Sequence, residues 1–142
     1  MPKRRVVITG MGIVSPVGNT ISDAWDNLLN GKSGITRITR FDASALASQI
    51  AGEVKDFDIT QYMIVKEARR MDIFIHYGMA AAMQAVKDAG IEDVINSKID
   101  PDRIGVNIGS GIGGLPMIEK TDAVYHKKGP RKISPFFIPS TI

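Results

Sequence analysis

Apolar residues come in two kinds of run along this chain, and the contrast between them predicts its elements. Arg5-Val-Val-Ile-Thr9 and Ile104–Ile108 are short and nearly unbroken, the pattern of strands covered on both faces. The longer stretches have helical spacing. Ile21–Leu29 gathers Ala24, Trp25, Leu28 and Leu29 on one face, with Asn19 or Thr20 to cap it, Asp23 in its first turn and Asn30-Gly31 as a stop. Val65–Met71 reads as a basic turn of helix. Asp72–Ala89 is apolar on nearly every side from Phe74 to Val86, and Gly78, Ala80, Ala81, Ala82 and Ala85 keep it slim. That predicts a buried helix with neighbours packed closely on both sides, ended by Gly90.

A further helix is expected over Leu115–His126, up to the break at Lys127-Lys-Gly-Pro130. Residues 33–48 read as irregular, with Phe41 as an anchor into the core, and Gln49–Val54 as another strand. Ser134–Ile142 is apolar and punctuated by prolines, so it should dock against something. Strands alternating with helices give an α/β class with a mixed or parallel sheet.

Composition narrows the chemistry. A chain of 142 residues that is 44% hydrophobic and 23% charged can fold as one ordinary globular domain. It contains no cysteine, which excludes a disulfide framework, a thiolate metal site and a thiol nucleophile from this stretch. His76 and His126 have no ligand spacing, so no metal site is expected. The net charge of +3 is bunched at Lys3-Arg4-Arg5, at Lys66, Arg69 and Arg70, and at Lys127, Lys128, Arg131 and Lys132. Such clusters either face an acidic partner or are solvated surface. Few aromatics interleave with them, which argues against nucleic acid. Thr9, Gly10 and Gly12 break the apolar run that would make the N-terminus a signal peptide, and no run is long enough for a membrane span. A cytoplasmic protein is expected.

The glycine turn is the candidate site. Gly109, Gly111, Gly113 and Gly114 follow the strand at Ile104–Ile108, and three of them match G-x-G-x-x-G. A dinucleotide site would put this motif after the first strand, with an acid roughly 20 residues further on. Here it comes late, and Arg131-Lys-Ile-Ser-Pro135 contains no acid. The first strand ends in Gly10-Met-Gly12 but has Ser15 where the third small residue belongs. No Gly-Lys-Ser/Thr follows either turn, and Ser110 lacks the Gly-x-Ser-x-Gly frame of a serine hydrolase. A tight strand-to-helix turn that binds nothing stays open beside the dinucleotide reading.

The motifs taken together resemble one family. Lys3-Arg-Arg-Val-Val-Ile-Thr-Gly-Met-Gly-Ile-Val-Ser-Pro-Val-Gly18, Lys66-Glu-Ala-Arg-Arg-Met-Asp72, Ile108-Gly-Ser-Gly-Ile-Gly-Gly114 and Gly129-Pro-Arg-Lys-Ile-Ser-Pro-Phe-Phe-Ile-Pro-Ser-Thr141 are similar to the opening third of bacterial β-ketoacyl-(acyl carrier protein) synthases. Synthase II is the most similar branch. The resemblance implies a thiolase-like fold, a layered mixed sheet with helices, of which residues 1–142 would be the incomplete N-terminal portion of the first half. It implies a homodimer that elongates acyl-carrier protein with malonyl-carrier protein, without cofactor or metal. The family's catalytic cysteine and two histidines match no position here, so these residues alone should not catalyse condensation.

The resemblance also implies binding roles. Gly111 and Ile112 match the inner end of the acyl channel, with Ile112 as its gate. Phe137 and Ile138 match residues that reach across the dimer. Lys66, Arg69 and Arg70, on one helical face by their spacing, match the basic patch that meets carrier protein, and Arg131 and Lys132 match a second patch. Arg70 stands where lysine is common, which keeps the charge. The alternatives are a non-catalytic partner of the same fold, of the chain-length-factor type, and an NAD-dependent oxidoreductase.

Overall fold

Thr20 starts the first helix. Its side-chain oxygen accepts the N–H of Asp23 at 3.2 Å while its hydroxyl donates to the Asp23 carboxylate at 2.7 Å, and α1 (Ile21–Leu29) follows. At the other end Gly31 takes φ +63°, and the N–H groups of Gly31 and Lys32 return to the carbonyls of Leu28 and Asn27, a Schellman closure. The apolar face behaves otherwise than expected. Ala24 is buried, but Trp25, Leu28 and Leu29 are more than half exposed. Caps, and the Asn27 amide donating to the carbonyl of Val17 at 2.6 Å, hold this helix in place of a covered stripe.

The computed structural model describes residues 3–97 and 99–142. They fall into two compact units, one made of Met1–Phe57 and Ala80–Ile99, the other of Asp58–Met79 and Asp100–Ile142.

In the first unit β1 (Ile35–Arg37) pairs antiparallel with β2 (Ile50–Gly52), with Ile35 opposite Gly52 and Arg37 opposite Ile50. The stretch expected to be irregular therefore contains a strand. Phe41 is 57% exposed and does not anchor the core. The loop is fixed by polar bonds instead, since the Glu53 carboxylate accepts the N–H groups of Thr39 and Arg40 and the Thr39 hydroxyl.

The long helix also begins and ends within a residue of expectation, although the unit boundary falls inside it. Its second half explains its small residues. A Cβ on Gly10 would lie 2.3 Å from the carbonyl oxygen of Ala85, and one on Gly12 would lie 2.0 Å from that of Ala81. Main chain thus rests directly on the helix. The Met11 N–H donates to Asp88 at 2.9 Å and the Ile13 N–H to Gln84 Oε1 at 3.2 Å. Two glycines and two alanines form one close contact.

The other unit holds α2 (Val65–Ala68), the first half of the long helix α3 (Ile73–Asp88), and α5 (Leu115–Lys128). A short α4 (Glu92–Ser97), in the first unit, lies between them in sequence and was not anticipated. α2 is shorter than the expected Val65–Met71, its last residues continuing as tighter turns. α5 runs two residues beyond the expected end, to Gly129 at φ +78°.

Three expectations about burial are corrected. Arg5–Thr9 and Ile104–Ile108 form no strand among the described residues, and Val6, Ile8 and Val106 are over four-fifths exposed. Their patterning suits strands paired and covered on both faces, and the described residues supply neither the pairing nor the cover. α3 is mostly half-buried: Ala80 is fully covered, while Met79 and Met83 are exposed. Among the described residues no helix is long and apolar enough to cross a membrane.

Candidate functional site

Asp72, at the start of α3, organises the second unit. It is 5% exposed, and its carboxyl oxygens accept the N–H of Ile73 at 2.6 Å and that of Met117, in the first turn of α5, at 2.9 Å. Its own N–H donates to the carbonyl of Ser140 at 3.3 Å, and the Gly114 N–H donates to that of Thr141 at the same distance. Ser140, 2% exposed, closes the last turn through its hydroxyl to the carbonyl of Phe137. One buried side chain thereby ties the starts of two helices, beside the last residues described.

This arrangement sorts the four glycines of the turn. Gly113 lies at φ +75°, and a Cβ there would sit 2.3 Å from the carbonyl oxygen of Thr141. A Cβ on Gly114 would meet an Asp72 carboxyl oxygen at 2.6 Å. Added to Gly109 or Gly111 it would meet nothing within 4 Å. The close approach implied by so many glycines is real at the helix end of the turn and absent from its other half. It also decides against a phosphate cradle. A pyrophosphate needs the free N–H groups of a helix N-terminus, and here the Asp72 carboxyl group already takes the one at Met117.

The open half of the turn lines a cleft of about 720 Å³. Gly109 to Gly113 form one side, with Ile108 leading in, and Phe74, Ile75 and Met79 of α3 contribute apolar side chains. The lining contains no acid, base or cation. Such a site can hold an apolar ligand and set how far it reaches, but it cannot move a proton. Gly111 and Ile112 both belong to it. Phe137 and Ile138 do not line it; Phe137 is half-buried and Ile138 is 59% exposed on the turn that follows Ser134.

The basic residues are regrouped by the fold. Arg69 and Arg70 line a second pocket of about 230 Å³ together with Lys132, so members of the two expected patches meet in one place. Lys66 and Arg131 are exposed and lie outside that lining. The Arg70 guanidinium stands 4.5 Å from the ring centroid of Phe136, in cation–π geometry. Sequence reasoning missed Lys120, which enters the same pocket from α5. It stands alone between acids in the chain, so no charge cluster signalled it. It also missed the role of Asp72, marked only as the first residue of the expected helix and the last of a family motif.

Neither histidine is placed for catalysis in this stretch. His76 Nε2 is 2.9 Å from the carbonyl of Ala68, a bond that fixes α3 against α2, and His126 is an exposed partner of Asp122 one turn earlier.

The residue pattern that carries this geometry is shared. Residues 3–142 match the model of the β-ketoacyl synthase N-terminal domain. The chain belongs to the β-ketoacyl synthase family. It is 56% identical over 142 residues to 3-oxoacyl-[acyl-carrier-protein] synthase 2 of Vibrio harveyi, matching all of this chain and 34% of that protein. It is 49% identical over 139 residues to the protein of the same name from Staphylococcus aureus (strain COL), matching 98% of this chain and 33% of that one. The chain therefore spans about a third of the length of the curated relatives it matches.

Among solved structures, a chain from a type II PKS acyl-carrier protein in complex with its ketosynthase bound to the hexaketide superposes with a TM-score of 0.76. It is 25% identical, and the match covers 99% of this chain and 35% of that one. The ishigamide ketosynthase/chain length factor gives a TM-score of 0.75 at 28% identity, over 99% of this chain and 34% of that one. The fold is the thiolase-like fold of the ketosynthases, as the β-ketoacyl synthase motifs implied. Among the described residues the sheet is the two-stranded antiparallel β1–β2 pair, and the mixed or parallel sheet expected from the alternating pattern is not formed.

Proposed function

We propose that the full-length protein carrying this stretch is a condensing enzyme of fatty acid synthesis, a homodimeric cytoplasmic β-ketoacyl-carrier-protein synthase of type II. These residues are the incomplete N-terminal portion of its first domain, and no cofactor or metal takes part. An acyl group passes from the thiol of carrier protein to an enzyme cysteine, releasing the carrier thiol. Malonyl-carrier protein loses carbon dioxide, and the resulting carbanion attacks the thioester. The carbon–sulfur bond breaks, the cysteine thiolate leaves, and 3-oxoacyl-carrier protein is released. The residues described here bind: Gly111 and Ile112 bound the acyl chain, Phe137 and Ile138 reach toward the other subunit's pocket, and Lys66, Arg69, Arg70, Arg131 and Lys132 receive the acidic carrier protein.

The observation that carries this reading is an apolar cleft, free of titratable groups, at the glycine turn of a chain that matches the family from residue 3 to residue 142. A non-catalytic partner of the same fold is the second reading, favoured by the likeness to a ketosynthase/chain length factor. Incubating the purified full-length protein with acyl- and malonyl-carrier protein separates the two. Carbon dioxide release with a product two carbons longer supports the enzyme; carrier-protein binding without turnover supports the partner.

A further inference from the structure

We infer that Lys120 completes a carboxylate-receiving pocket with Arg69, Arg70 and Lys132, a contact point for one acidic side chain of the carrier protein. The inference rests on the docking role proposed above and adds to it a residue on a different helix. The four cations line one concavity of about 230 Å³, and no aspartate or glutamate shares that lining. Among the described residues none of the four has an ion-pair partner.

Uncompensated like charges facing a common space repel one another, and an anion placed between them relieves every pair at once. Thr121 and Ser134 add hydroxyl-bearing residues to its lining, and Met117, Val124 and Ile133 add apolar ones. Arg70 is steadied by the ring of Phe136, which reduces the freedom its guanidinium loses when an anion binds.

Lys120 reaches the pocket from the second turn of α5, a helix whose start is fixed by Asp72. Asp72 lies two residues after Arg70, so this bond holds the helix carrying Lys120 to the segment carrying Arg69 and Arg70. A carboxylate held there touches two elements at once, which fixes the orientation of a docked protein as well as its affinity.

The test is carrier-protein affinity measured on the full-length protein by fluorescence anisotropy of labelled holo-carrier protein at low salt. Four charge reversals are compared: Lys120→Glu, Arg69→Glu, Lys132→Glu and, as a control for net charge, Lys32→Glu, an exposed lysine outside the pocket. Lys120→Glu is expected to weaken binding about tenfold and Lys120→Arg to restore it, with Lys32→Glu changing it less than about twofold. Lys120 is exposed, so the variant should fold, and an unchanged melting temperature checks this. If Arg69→Glu weakens binding and Lys120→Glu does not, the pocket assignment is wrong while docking stands. If no reversal matters, the docking reading fails and this inference with it. Equal losses from Lys120→Glu and Lys32→Glu would show a net-charge effect and overturn the pocket.

Discussion

The carboxyl group of Asp72 accepts the N–H of Met117 at 2.9 Å, so the residue that opens α3 also caps α5. Both partners lie 45 residues apart in sequence, and the acceptor is 5% exposed. Asp72→Ala leaves the N–H groups of Ile73 and Met117 without their acceptor, which costs about 2–4 kcal/mol for two partly buried donors. Asp72→Asn keeps one acceptor oxygen but turns an NH2 toward the other N–H, so it should cost about half as much, about 1–2 kcal/mol. Urea denaturation of the two variants measures the difference. Equal losses would mean that the side chain is needed for its volume and not for its bonds.

The same cap separates the glycines of the turn into two pairs. Gly113→Ala forces a side chain to φ +75° and against the Thr141 carbonyl, and Gly114→Ala drives a methyl group into Asp72. Each should destabilise by roughly 2–4 kcal/mol, because backbone or a buried bonded side chain has to move. Gly109→Ala and Gly111→Ala meet open space and should leave the melting temperature nearly unchanged. Thermal melts of the four variants test the division directly. A uniform response would contradict it.

Two exposed carboxylates and a half-buried one give the stability an acid dependence. The backbone N–H of Ser44, then its hydroxyl, holds Asp42 below the usual carboxylate range. The Thr39 hydroxyl does the same for Glu53, helped by the N–H groups of Thr39 and Arg40, and the Thr60 hydroxyl and N–H for Asp58. A group depressed in the folded state contributes its full stabilisation above its unfolded pKa and loses it as pH falls through the folded one. Melting temperature should thus be flat above about pH 5 and decline gently toward pH 3, with Glu53→Gln flattening part of that decline. A rise in stability on acidification would reverse the assigned sign.

How far the sequence reveals this molecule depends on what each signal needs. Local signals were readable: Thr20 and Gly31 bound α1, Gly90 and Gly129 follow helices, and the small residues of α3 do meet main chain at Gly10 and Gly12. Burial was not, because apolar patterning states what a segment requires and not which neighbour satisfies it. Val6, Ile8 and Val106 read as buried and are exposed, and Phe41 failed as an anchor where Glu53 took the role through polar bonds. At the cleft, the motif had singled out Gly111 and Ile112, which are among its lining residues. Asp72 and Lys120 were not, since a cap from 45 residues away and a lone lysine completing a pocket exist only once the helices are placed.

Ile112 carries the prediction closest to function. It lines the apolar cleft beside Gly111, yet its side chain is 73% exposed, so it can be enlarged without disturbing packed neighbours. A phenylalanine at this position fills cleft volume at the end proposed to receive the acyl chain. Each methylene that no longer fits forfeits about 0.8 kcal/mol of burial, a factor of about four in kcat/KM. Ile112→Phe should therefore leave short acyl-carrier proteins almost unaffected and penalise longer ones progressively, with Ile112→Ala shifting the preference the other way. Competition between acyl-carrier proteins of graded length gives the ratio independently of enzyme concentration. A loss equal at every length would place Ile112 outside the channel and leave the cleft without its proposed gate.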